Sequence, residues 1–161
     1  MAKTVLVVCQ ANTARSVMAQ AFLERLLAER GLAPAVSVAS AGVASYARDG
    51  MLASLDARLA LKETGILLAE DGFASTALRE HPELIAAADL VVTMTAAQRA
   101  LVGALPEARG RPVLTLRELA GETGDIGDPA GQGEDVFRAC RDEIRRCLEA
   151  SMDRLLVILS G

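Results

Sequence analysis

The chain is poor in rings: no tryptophan, one tyrosine and three phenylalanines, an aromatic share of 2%. Its hydrophobic share is nonetheless 52%, so aliphatic side chains and alanine must pack the core. Histidine is nearly missing as well. His81 is the only one; it precedes Pro82 at a predicted helix start, where a solvated role fits better than catalysis, and a Cys–His nucleophile pair is not expected. The three cysteines are an odd number with no CxxC and no disulfide-like spacing, which reads as the reducing cytoplasm rather than a stapled secreted scaffold. No apolar run is long enough to span a bilayer, and MAKTVLVV is too short and polar for a signal peptide. Net charge is −4 with the signs interspersed, which offers neither a nucleic-acid surface nor a basic membrane anchor. Repeats, linkers and low-complexity tracts are missing too, and 161 residues fit one domain, 1–161, with a full core.

What the chain does have is concentrated between Val5 and Leu27. Val5 to Val8 form a continuous apolar run, β-branched at three of four positions, as in a strand buried on both faces of a parallel sheet. After Arg15 the period changes: Met18, Phe22 and Leu26 recur every four residues, flanked by Ala19, Leu23 and Leu27, and Gly31 is a plausible stop. A loop from strand to helix points backbone N–H groups inward, and with the positive end of the helix dipole these favour an anion. The same field favours a thiolate at Cys9, a competent nucleophile. Arg15 brings a planar fork that grips two phosphoryl oxygens at once. Gln10, Ala11, Asn12, Thr13 and Ala14 lie between them, and Asn12 tolerates a left-handed backbone. Ser16 either caps the helix or bonds to the sulfur. The reading is a phosphate-binding loop over a thiolate; the plainer alternative is a buried strand-end cysteine with Arg15 on a solvated helix face.

The remaining pattern alternates strand and helix. Strands are expected at Ala35–Ala39, Leu90–Met94 and Pro112–Leu116, helices at Met51–Thr64 and Ala96–Leu105, a short helical turn at Arg117–Ala120 and a long amphipathic helix at Glu134–Leu159. Alternation predicts an α/β fold with a parallel sheet and right-handed crossovers, its ligand at the carboxyl ends of the strands. Cys9 sits at such an end. Phe137, Cys140, Ile144, Cys147, Ser151 and Leu155 form one stripe of the last helix, so Cys140 and Cys147 read as structural thiols. Residues 121–133 are rich in glycine and acid, hence a surface loop, within which Pro129 holds Asp128 extended.

The segment CQANTARSV resembles the phosphate loop of low-molecular-weight protein tyrosine phosphatases, C-x-G-N-x-C-R-S-P, with Ala11, Ala14 and Val17 where the family has glycine, cysteine and proline. The resemblance implies a four-stranded parallel sheet in order 2-1-3-4 with helices on both faces. It also implies a general acid in a D-P pair, matched by Asp125-Ile-Gly-Asp128-Pro129, with Asp125 in support. Ser40-Ala41-Gly42 matches an S-A-G whose serine bonds to the phosphate loop, although spacing alone also fits an ordinary strand-end turn. Tyr46 stands where the family often has an aromatic wall; an exposed loop tyrosine is the alternative. Asp71 stands where the family has a histidine that braces the loop.

The chemistry so implied is metal-free and cofactor-free, with Cys9 attacking phosphorus, Arg15 and the amides of Gln10, Ala11, Asn12, Thr13, Ala14 and Ser16 holding the oxygens, and Asp128 as acid, then base. Its partners are a phosphorylated protein and a phosphate or other oxyanion, with neither nucleic acid nor membrane. Thr13, SAGV, ADLVVTMT and VLTLREL are similar to the protein arginine phosphatase branch, which puts phosphoarginine first and phosphotyrosine second. Ala130 departs from both, since an aromatic often follows D-P. An arsenate reductase is disfavoured because no cysteine lies between Cys9 and Cys140. An inactive phosphoprotein-binding module is disfavoured by the presence of Cys9, Arg15 and Asp128.

Overall fold

The valine run after Lys3 becomes β1 (Lys3–Cys9), flanked on both sides by other strands. The computed structural model describes residues 2–161. The sheet has four strands in the order β2-β1-β3-β4, every pair parallel, with β2 at Val36–Gly42, β3 at Leu90–Thr93 and β4 at Val113–Thr115. Fold class and strand order are as expected. A central strand of a parallel sheet is covered on both faces, and β1 shows the consequence. Val5, Val7 and Cys9 face one core with α1 (Arg15–Glu29) and α6 (Glu134–Ser160). Leu6 and Val8 face a second core built with α3 (Glu83–Ala87) and α4 (Ala96–Gly103). Period-2 alternation therefore feeds two apolar layers at once, and no polar residue is tolerated along the strand interior.

Phe22 is fully buried between helices, and Phe137 is nearly so; leucine, valine and alanine fill the rest. The α6 stripe is buried as read, from Phe137 through Cys140, Ile144, Cys147 and Ser151 to Leu155. Burial pushes the Cys140 thiol up to about 12 and raises that of Cys147, so both stay protonated and apolar in the core.

Two boundaries differ by more than two residues. The second helix does not start at Met51: α2 spans Leu55–Lys62, capped by the Ser54 hydroxyl, which accepts from the Ala57 amide. Met51 to Ser54 are instead tied down as a loop, because Met51 and Ser75 exchange hydrogen bonds and the Ser54 amide donates to the Thr13 carbonyl. β2 also runs through Ser40-Ala41-Gly42 rather than ending before it. α5 (Leu116–Leu119) is the expected short turn after β4. The carboxyl ends of all four parallel strands open on one side, and the loops after β1 and β2 meet there, Val43 N on Cys9 O and Ala44 N on Gln10 O.

Candidate active site

The loop after β1 is fixed from behind. Its carbonyls are claimed by neighbours: Cys9 O accepts from Val43 N at 2.9 Å, Gln10 O from Ala44 N at 3.0 Å and Thr13 O from Ser54 N at 2.8 Å. With the carbonyls turned outward, the amides of residues 10–14 are turned the other way, and none of them donates to an acceptor among the described residues. A row of free N–H groups ahead of a helix N-terminus is an anion receptor. Asn12 makes the turn possible. It is the one non-glycine residue with positive φ among those described, at 62°, and it is fully buried. Its Nδ2 donates to Ser16 Oγ at 2.8 Å and Ser40 Oγ at 3.0 Å, while its Oδ1 accepts from Thr76 N at 2.9 Å. Ser40 Oγ in turn donates to Gln20 Oε1 at 2.6 Å.

This chain of bonds has a direction. Ser16 Oγ accepts from Asn12, so its single proton is free to point at Cys9 Sγ, 3.0 Å away. Of the two roles read for Ser16, the contact to sulfur is the one present: Ala14 is the N-cap of α1 and no side chain caps it. Gly42 is required for close approach. A Cβ there would stand 2.6 Å from Gln10 O and 2.7 Å from Ala11 C, so a larger residue would push the loop off its place.

Arg15, the first residue of α1, is 4% exposed. Its Nη1 donates to the Ile126 carbonyl at 2.8 Å, and its Nη2 lies 3.9 Å from Asp128 Oδ2. The acid loop is thus anchored on the arginine of the phosphate loop. Further ties are Ile126 N to Met94 O at 2.9 Å and Ala96 N to Asp125 Oδ1 at 2.9 Å. Asp125 therefore supports the site from the start of α4. Asp128 itself is half-exposed; its Oδ1 accepts from Ala130 N at 3.0 Å and its other oxygen is turned to Arg15.

A cavity of about 270 Å³ lies over the sulfur, with Cys9, Thr13, Arg15, Tyr46 and Asp128 among its walls, together with Gln10, Ala11 and Ala14. Asn12, Ser16, Ser40 and Asp125, also singled out from sequence, lie behind these walls as braces. Tyr46 is 65% exposed and yet lines the cavity. Two points of the sequence take their place in the structure. Asp71 is exposed, and among the described residues no hydrogen bond joins it to the loop; the Asn12 side chain accepts instead from the Thr76 amide. No ligand cluster was visible in sequence, but Asp49, Glu80 and His81 bring donor atoms within 4.8 Å of one another. Asp49 Oδ2 and His81 Nε2 are already bonded to each other at 2.7 Å, which accounts for the grouping. That bond raises the His81 pKa above the ordinary imidazole value, while Asp49 is held lower, first by the Ala77 amide and then by His81.

Several site residues were not read from the sequence. Ser54, Asp56 and Phe137 also line the cavity, and Gln20 and Thr76 complete the brace. Ser54 carried a helix-start signal, serine before Leu55-Asp56. Phe137 carried none, since its stripe position says only that it is buried.

Comparison with known proteins finds relatives over most of the chain. The family pattern for low molecular weight phosphotyrosine protein phosphatase matches residues 4–156. A protein-arginine-phosphatase of Geobacillus stearothermophilus is 39% identical over 152 residues, 94% of this chain and 92% of that protein. A probable low molecular weight protein-tyrosine-phosphatase EpsP of Ralstonia nicotianae is 34% identical over 155 residues, 96% and 97% of the two chains. Among solved structures, a cysteine-to-serine mutant of the YwlE arginine phosphatase with a phosphorylated active-site serine superposes with a TM-score of 0.83. It is 34% identical and covers 94% of this chain and 95% of its own.

Proposed function

The chain belongs to the low molecular weight phosphotyrosine protein phosphatase family, and from that premise we propose that it removes phosphate from arginine side chains of proteins through a phosphocysteine. The observation that carries the choice of arginine is the wall of the cavity over Cys9. Thr13 and two carboxylates, Asp56 and Asp128, share it, and Asp56 has no ion-pair partner among the described residues. Hydroxyl and carboxylate oxygens accept from guanidinium N–H groups, whereas a phenyl ring brings them no donor. The relative with 39% identity carries the arginine phosphatase name.

The reaction runs in two displacements. The Cys9 thiolate attacks phosphorus, and the phosphorus–nitrogen bond breaks with its electron pair going to nitrogen. Asp128 supplies a proton to that nitrogen. Arg15 and the amides of residues 10–14 hold the three equatorial oxygens as charge spreads over them. Asp128, now a carboxylate, takes a proton from water as the water attacks the phosphocysteine; phosphate leaves and the thiolate is restored. Ser16 stabilises the sulfur as leaving group in this second step. The thiolate needs a reducing compartment such as the cytoplasm. None of the steps draws on a metal or a cofactor.

Phosphotyrosine is the second reading, favoured by Tyr46 and Phe137 at the same cavity, which offer apolar faces to a ring. Matched peptides bearing one or the other phosphoresidue separate the two. A kcat/KM at least about tenfold higher on phosphoarginine, reversed or erased by Thr13→Ile, is the expected result; a preference for phosphotyrosine overturns the arginine reading.

A further inference from the structure

The cavity over Cys9 is continued by a second one. Asp56 and Phe137 line both, and on their far side a groove of about 400 Å³ opens between α2 and the start of α6. Leu59, Ala60 and Phe137 supply its apolar part, and Lys62, Glu63 and Arg138 its rim. Part of the rim charge is paired: Arg138 meets Glu63 at 3.0 Å and Glu134 at 3.5 Å, while Lys62 has no ion-pair partner among the described residues. Leu59 is 45% exposed and Leu55, one turn earlier on α2, is 61% exposed. The structure thus leaves aliphatic surface uncovered beside the catalytic cavity, on a molecule whose other leucines are mostly interior.

We infer that this groove is a subsite for an aliphatic side chain of the substrate protein, located within two positions of the phosphorylated residue. The inference rests on the phosphatase reading but not on the choice of phosphoresidue. The occupant follows from the shared walls. With the phosphoryl group seated over Cys9, whatever enters the groove across Asp56 and Phe137 is continuous with the same bound chain. In an extended peptide, side chains two apart point the same way about 7 Å apart, so a neighbour enters alongside the phosphorylated one. The volume falls in the range that ligand pockets occupy, about 300 to 1,000 Å³, and exceeds what one leucine side chain fills. An aliphatic floor of Leu59, Ala60 and Phe137 selects for leucine, isoleucine or methionine over a charge.

The test is a set of phosphopeptides, one series with phosphoarginine and one with phosphotyrosine. Each carries leucine, alanine or aspartate at the positions one and two residues to either side. Wild type, Leu59→Ala and Leu59→Glu are compared on these and on para-nitrophenyl phosphate. Leucine at one of these positions is expected to raise kcat/KM about tenfold over alanine in the accepted series. Both Leu59 variants should erase that gain and leave para-nitrophenyl phosphate turnover as it was. No dependence on the flanking residue in wild type, or equal losses on peptides and on the small substrate, overturns the groove. So does a change of oligomeric state in Leu59→Glu without loss of peptide selectivity, which would make the groove a contact between copies of this chain. The ratio between the two series reports separately on the arginine reading.

Discussion

Residues 9–16 and residues 121–133 face the same cavity from opposite sides and are held by different means. In the first loop the carbonyls of Cys9, Gln10 and Thr13 have partners, Asn12 is tied at both ends of its amide, and Cys9, Asn12, Arg15 and Ser16 are all buried. In the second, Ile126 and Pro129 are buried while residues 127, 128 and 130 are exposed, and the loop hangs on Arg15, the Met94 carbonyl and the Ala96 amide. A buried hydrogen-bond network fixes atoms to within tenths of an ångström because each broken bond strands a polar group away from water. An exposed loop has no such penalty. In the proposed reaction a nucleophile at Cys9 and the anion receptor above it need preorganisation, whereas an acid at Asp128 must reach leaving groups of different size and exchange protons with water. The comparison teaches that rigidity is placed where charge develops and freedom where substrate and water enter.

The sharpest way to break the comparison is Cys9→Ser. Turnover of para-nitrophenyl phosphate should fall by about 10⁴-fold or more, while vanadate binding measured by calorimetry persists, since the receptor amides are untouched. Retained turnover would remove the thiolate from the mechanism. Next in size is Asp128→Ala, with a loss of about 10²–10⁴-fold on substrates with poor leaving groups and much less on para-nitrophenyl phosphate. Equal losses on both would show that the acid loop serves binding rather than proton transfer.

Stability should register the contrast between the loops as well. Asn12→Gly keeps the left-handed backbone but strands Ser40 and the Thr76 amide, and should cost about 1–3 kcal/mol in chemical denaturation. Asp125→Ala removes one half-solvated bond and should cost less than about 1 kcal/mol. If the two are equal, the phosphate loop is no better braced than the acid loop. The smallest effect concerns the Asp49–His81 pair. The folded His81 pKa is raised, so its contribution is complete below the unfolded value near 6.5 and lost as pH rises through the folded one. Asp49 is lowered, so its share is present above about 3.9 and lost as pH falls through its folded value. The melting temperature of wild type should therefore exceed that of His81→Gln most between about pH 4 and 6.5, and the gap should close above the raised imidazole value. A constant gap would mean that the pair acts by packing alone.

Much of this was legible in sequence because its causes are local. Val5 to Val8 announce a strand buried twice over, since a half-buried strand would alternate. CQANTARS carries its own geometry: asparagine for a positive φ, and arginine and serine opening the helix that follows. Asp128-Pro129 in a glycine-rich stretch marks an extended, exposed carboxylate. Other features depend on partners far along the chain and left no local trace. Met51 and Leu52 fit a helical pattern, but the bonds to Ser75 pulled them into a loop. Asp71 held the place of a bracing histidine by counting residues, yet the chain bends so that Thr76 does that work through its backbone.

The sequence by itself determined the parallel α/β architecture, the strand–loop–helix that holds Cys9 and Arg15, and the existence of a carboxylate loop near the C-terminus. Each of these follows from periodicity, turn chemistry or charge within a dozen residues. Only the tertiary structure decided that Arg15 anchors the acid loop, that Asn12 is braced from Ser40 and Thr76, and that Asp56 and Phe137 stand between the catalytic cavity and a neighbouring groove. Those contacts join residues 28 to 111 positions apart, and hydrogen bonds and packing at such separations are set by how layers stack, which no local pattern encodes.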